Sequence, residues 1–153
     1  MIEGVKIKKL SVHEDERGRL MEILRADDDI FVQFGQVYIT TAKPGFVKGW
    51  HFHKKQIDNF TCIKGKIKLV LYDDREGSKT KGELQEFTIS MEDNPIIVQI
   101  PQNVYHGFES ACDDESTVIN VCTEPYNHEE PDEYRLPFDS DKIDYKWKST
   151  KGG

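Results

Sequence analysis

Apolar and β-branched residues recur along this chain in short runs, each of a length that suits a strand rather than a helix. Val5–Leu10, Leu20–Leu24, Val37–Thr41, Val47–His53, Phe60–Lys64, Lys66–Tyr72, Leu84–Ile89, Ile96–Ile100, Tyr105–Glu109 and Thr117–Cys122 all read as strands. Turn chemistry separates them: Glu16-Arg17-Gly18, Lys43-Pro44-Gly45, Lys64-Gly65-Lys66, Asp73–Gly77 and Asp93-Asn94-Pro95. There glycine supplies permissive dihedrals and proline fixes φ. Lys64-Gly65-Lys66, between two apolar runs, is expected to close a tight hairpin. Single helical turns are expected at Ser90–Asn94 and Glu129–Tyr134, and neither carries a sustained 3.6-residue period. The pattern predicts an all-β sandwich or closed barrel.

From Thr123 onward the chain turns charged and proline-containing, and regains apolar anchors at Leu136, Phe138, Ile143, Tyr145 and Trp147. That spacing suits a C-terminal arm wrapped around the barrel. Residues 1–147 are expected to form one domain, followed by a flexible tail over 148–153. The charge balance, 21 Lys plus Arg against 28 Asp plus Glu, argues against a nucleic-acid partner, because neutralising phosphates needs a basic face. It leaves room for one anionic ligand held by local cations. Cys62 and Cys122 sit in apolar runs and, with Cys112, form no C-x-x-C pair, so reduced thiols are expected. No signal-type or membrane-spanning apolar stretch is present, so a cytoplasmic, membrane-independent protein is expected.

Three of the five histidines fall into one pattern. Gly45, His51, His53, Asp58 and Gly65 lie at the spacing of G-x5-H-x-H-x4-E-x6-G, with Asp in place of Glu. Pro101, Asn103 and His106 follow as P-x-G-x2-H, with Asn in place of Gly. Residues two apart on a strand share a face, so His51 and His53 point one way while Trp50 and Phe52 point the other. If the first face lines a barrel, His51, His53, Asp58 and His106 converge inside it. The signature resembles that of the cupins, double-stranded β-helix (jelly-roll) barrels.

A closer resemblance covers nearly the whole chain. His13-Glu14-Asp15-Glu16-Arg17-Gly18 through Glu22, Val47-Lys48-Gly49-Trp50-His51-Phe52, Pro101–Phe108, and Thr123–Tyr126 with Glu133-Tyr134-Arg135 are similar, in order, to blocks of the dTDP-4-dehydrorhamnose 3,5-epimerase family. The resemblance implies a homodimer whose N-terminal strand crosses to the partner. It implies a nucleotide-linked 4-keto-6-deoxysugar as substrate, in surface-polysaccharide or deoxysugar biosynthesis, and no required cofactor. His51 would be the general base that removes a proton α to the ketone. His106 and Lys48 would stabilise the enolate, with Arg17, Glu22, His53 and Asn120 toward the substrate.

Three departures stand out. The family's acid, a Tyr, falls on Asn120, which lacks a phenol. Its enolate-stabilising Lys falls on Asp58. The Asp that orients its base would lie beyond Trp147. Tyr126, Tyr38 or Tyr105 could replace the lost acid, with Tyr126 favoured, and Asp58 could orient His51 or His53. Alternatively, His51, His53, Asp58 and His106 could hold a divalent metal as a Lewis acid. His51-Phe52-His53-Lys54 with Gln56 also resembles nucleotide-sugar 3,4-ketoisomerases, and a metal-dependent cupin oxygenase or a non-catalytic sugar-binding cupin are further readings. His13 and His128 lie in charged loops and carry no expected role.

Overall fold

The computed structural model describes residues 1–153 and contains strands and turns but no helix. In chain order the strands are β1 (Lys6–Lys9), β2 (Val12–Asp15), β3 (Gly18–Met21), β4 (Gln36–Ala42), β5 (Phe46–Phe52), β6 (Asp58–Lys64) and β7 (Ile67–Asp73). β8 (Leu84–Ile89), β9 (Ile96–Ile100), β10 (Val104–Ser110), β11 (Ser116–Cys122), β12 (Tyr134–Arg135) and β13 (Lys151–Gly152) follow. One sheet has the spatial order β1-β9-β6-β11-β4. The other runs β12-β5-β10-β7-β8, with β13 also on β5, and β2-β3 form a separate hairpin. The order is non-sequential: from β4 to β12 successive strands alternate between the two walls, except that β7 and β8 pair as neighbours in one sheet.

That topology overturns one expectation. Lys64-Gly65-Lys66 does not close a hairpin: β6 pairs with β9 and β11, while β7 pairs with β10 and β8. Gly65, at φ 76°, instead carries the chain from one sheet to the other. It fits because a Cβ there would lie 2.6 Å from Ser116 Oγ. The two expected helical turns are also absent. Ser90 and Asn94 exchange both backbone hydrogen bonds in a tight loop. Asn127 Oδ1 accepts the Glu129 and Glu130 amides, an Asx-type turn that competes with helix.

The main core fills the space between the sheets and includes Phe60, Leu69, Leu71, Val98, Phe108 and Val118. A second cluster lies outside, where Ile143 and Trp147 of the C-terminal arm pack on Val47, Trp50, Val70 and Tyr105. Strand β7 is therefore buried on both faces, Leu69 and Leu71 inward and Val70 under the arm. Its continuous apolar run has that cause. Burying each large apolar side chain contributes about 1.5–3 kcal/mol, so the arm is an integral layer of the domain. Its last residues, expected to fray, bridge Lys151 and Gly152 to Phe46 and Val47 in parallel. The amides of Lys148 and Ser149 face the buried Glu109 carboxylate.

Candidate active site

Strand β5 sets the site. Strict alternation would place Lys48 and His51 on opposite faces. The register with β10 slips by one residue, from His106↔His51 to Phe108↔Lys48, so β5 carries an extra residue at Gly49–Trp50. This bulge turns both Lys48 and His51 inward while Trp50 stays in the outer cluster. Gly49 is required because its backbone presses on Gly107, 2.8 Å from the place of a Cβ. The result is a cavity of about 290 Å3 between the sheets, lined by Lys48, His51 and His106 from one wall and Tyr38, Thr40 and Phe60 from the other. Lys48 Nζ donates to Thr40 Oγ1 at 2.9 Å across the gap.

His51 Nδ1 is buried without a hydrogen-bond partner. Its nearest acceptor is Glu133 Oε1 at 3.5 Å, longer than a hydrogen bond. Glu133 arrives just before β12, which pairs antiparallel with the end of β5, Arg135 opposite His51. The Arg135 guanidinium binds the same Oε1 at 2.8 Å. Burial, and then the positive charges of His106, Arg135 and His53, push the His51 pKa down to about 3, so the imidazole is neutral at ordinary pH.

Two residues along, the environment reverses. Asp58 is 1% exposed, and its Oδ2 lies 3.3 Å from His53 Nε2 and 3.2 Å from His106 Nε2. Its Oδ1 accepts from Gln56 Nε2 at 2.6 Å and Asn120 Nδ2 at 2.9 Å. Burial alone would raise this carboxyl, but hydrogen bonds from the two imidazoles hold it well below the usual carboxylate range. Burial also works against a charged His53. The Asp58 hydrogen bond and charge, with the Asp132 carbonyl 2.5 Å from Nδ1, outweigh it and raise His53 to about 9. Asp132 locks this corner: its carboxylate accepts the Lys54, Lys55 and Gln56 amides.

The sequence-predicted residues divide accordingly. His51, His106, Lys48 and His53 line the cavity, but His106 turns Nε2 to Asp58 and Nδ1 to the Val104 carbonyl. Both its nitrogens are committed, and the other cationic side chains that line the cavity are Lys48 and Arg135. Asn120 is wholly buried behind the cavity. Tyr126 is not with His51: it lies in a wider outer groove against His128. Tyr105 packs on Phe52 and Tyr72 outside the barrel. Tyr38 alone of the three candidate phenols lines the His51 cavity. Arg17 pairs with Asp15 on the exposed β2-β3 hairpin, and Glu22 pairs with Arg25; neither lines the cavity.

For a metal, His53, Asp58 and His106 bring one ligand atom each within 4.8 Å of one another. His51 stands outside that group, so the expected four-residue set reduces to three. Those three atoms satisfy one another through two imidazole N–H groups, the same nitrogens a metal would need deprotonated. Glu133, Arg135 and Thr40 were missed as site residues. Only Glu133 and Arg135 lay in a motif block, and nothing local marks any of them as cavity-lining.

Comparison with known proteins agrees with this geometry. The chain is 42% identical over 147 residues to the spore coat polysaccharide biosynthesis protein SpsL of Bacillus subtilis, covering 96% of this chain and 97% of the relative. It is also 42% identical over 154 residues to a probable low-salt glycan biosynthesis epimerase, Agl13, of Haloferax volcanii, covering 99% and 98%. The crystal structure of a dTDP sugar isomerase from Desulfovibrio desulfuricans superposes with a TM-score of 0.91 at 33% identity, over 95% of this chain and 92% of that one. The family profile described as dTDP-4-dehydrorhamnose 3,5-epimerase matches residues 1–152. With the two-sheet barrel and the inward His51, this places the protein among the cupin-fold sugar isomerases: the chain belongs to the dTDP-4-dehydrorhamnose 3,5-epimerase family.

Proposed function

We propose that this protein epimerises a nucleotide-linked 4-keto-6-deoxysugar in glycan or polysaccharide biosynthesis, as a cytoplasmic homodimer. The observation that carries the reading is His51, a neutral buried imidazole in a cavity with a carboxylate behind it and cations beside it. With Nδ1 toward Glu133, Nε2 is the atom that takes the proton α to the ketone. Glu133 then faces an imidazolium, and the pair tightens as charge develops, as catalytic contacts commonly do. Lys48 and Arg135 stabilise the enolate oxygen with charge already in place beside His51. Lys54 and Lys55 in the adjoining groove suit the phosphates of the nucleotide.

Dimerisation supplies what one chain lacks. Strand β4 is a sheet edge, and Val37, Ile39, Phe34 and Leu20 are half or more exposed, an apolar surface that suits a second copy. Arg17 and Glu22 then serve the partner's site. Proton NMR of a dTDP-linked 4-keto-6-deoxysugar with the protein in deuterated water tests the reading. Deuterium entering at C3 or C5 with inversion is expected; migration of the ketone would instead identify a ketoisomerase, and no exchange would sink the enzyme reading.

The His53–Asp58–His106 cluster favours one second reading, a metal-dependent cupin. It predicts that chelation abolishes exchange and that one equivalent of a divalent ion restores it.

A further inference from the structure

Inversion at carbon needs a proton removed from one face and another delivered to the opposite face. His51 stands on β5, in the second sheet, so the donor must come from the opposing wall. In the family, by resemblance, a Tyr at the place of Asn120 does this. Here Asn120 is buried on β11 and has no acidic proton to give.

The neighbouring strand fills the gap. Asn120 and Tyr38 are direct cross-strand partners of β11 and β4, and Asn120 Nδ2 donates to the Tyr38 phenol oxygen at 2.9 Å. The orientation of that amide is fixed. Its Oδ1 accepts the Asn59 backbone amide at 3.0 Å, and its second N–H goes to Asp58 Oδ1. Tyr38 can therefore only accept from Asn120, and its own O–H hydrogen is left to point elsewhere. Its side chain lines the same cavity as His51, from the facing sheet.

Resting on the epimerase reading, we infer that Tyr38 is the catalytic acid, a phenol moved one strand sideways from the position now held by Asn120. His51 Nε2 takes the α-proton, and the C–H electron pair passes to the C4 oxygen as enolate. The enolate pair then returns to carbon and takes the Tyr38 proton on the opposite face. This leaves tyrosinate and imidazolium, which reset through solvent, so the substrate loses one proton and gains one. Asn120 supports the transfer, since its N–H stabilises the transient phenolate oxygen. Burial, reinforced by the Asp58 charge, pushes the phenol up, so Tyr38 is protonated at neutral pH, and the Asn120 hydrogen bond offsets part of the cost of giving that proton away.

The test separates deprotonation from inversion. In deuterated water Tyr38→Phe should still form the enolate and take deuterium back from His51 with retained configuration, while inverted product falls by about 10²–10⁴-fold. KM should stay near the wild-type value, and Tyr105→Phe, which alters a phenol packed outside the barrel, should invert normally. The double exchange Y38N/N120Y should recover inversion relative to Y38N alone, which a purely structural Tyr38 would not allow. Wild-type inversion by Tyr38→Phe, or its loss in Tyr126→Phe alone, overturns the assignment while leaving the epimerase reading intact. No exchange by the wild type overturns both.

Discussion

His51, on β5, and His53, just past its end, line one cavity, yet the fold drives them in opposite directions. His51 is buried against other positive groups, with its one carboxylate out of hydrogen-bonding range, and is held neutral with a pKa near 3. His53 touches a buried carboxylate at one nitrogen and a backbone carbonyl at the other, and is raised to about 9. Proximity in sequence therefore says nothing about protonation. What decides is whether the negative charge is in hydrogen-bonding contact or merely nearby. One half of the site thus holds a neutral imidazole, and the other a charged pair that persists through neutral pH.

The sharpest way to break the comparison is to remove the base. His51→Asn should lower enolisation by about 10³-fold or more, read as solvent deuterium exchange, with the melting temperature little changed. A comparable loss on His53→Asn with the fold intact would show that the two halves are not distinct. Next comes the framework. Asp58→Asn leaves two imidazoles without their shared counter-charge in a buried site, at an expected cost of about 3–5 kcal/mol. Urea unfolding measures this, and a change near zero would mean the network contributes nothing.

Glu133 links the halves to function. Glu133→Gln should reduce kcat about tenfold, equivalent to one pKa unit of support for the His51 imidazolium. KM should move little, and Arg135 should lose its ion pair. A change confined to KM would make Glu133 a binding residue instead.

The smallest effect is the pH profile of stability. His53 has a folded pKa above its unfolded value of about 6.5, so its contribution is full below that pH and is lost as pH rises toward 9. His51 has a folded pKa below the same unfolded value, so the unfolded chain gains protons first and stability falls as pH drops from about 6.5 toward 3. Asp58, with a depressed pKa, adds to the acid loss. A maximum close to pH 6.5 is expected. His53→Gln should remove the alkaline limb, by about 1–3 kcal/mol across it, and soften the acid limb, because His53 also helps to depress Asp58 and His51; urea unfolding at successive pH values reads both.

Much of this was legible beforehand. Ten runs of apolar residues marked ten of the strands, because a period of two and β-branched composition are local properties. The H-x-H spacing predicted that His51 and His53 line one cavity, because extended chain alternates its side chains even where β5 ends, one residue before His53. The arm's anchors, Ile143 and Trp147, were visible as apolar residues in a charged stretch. Cross-over between sheets was not visible, and so Lys64-Gly65-Lys66 read as a hairpin: a glycine with positive φ serves either purpose, and only strand pairing far away in sequence distinguishes them.

The sequence by itself determined that this is an all-β chain of one family, with two histidines spaced two apart where β5 ends, because periodicity, turn residues and motif spacing are short-range. Tertiary structure alone decided the rest. The one-residue bulge against β10 turned Lys48 inward. The return of β12 brought Glu133 to His51, and the register of β4 on β11 set Tyr38 beside Asn120. Each is a contact between segments separated by many residues, and low-dielectric burial then converts those contacts into protonation states that no local pattern encodes.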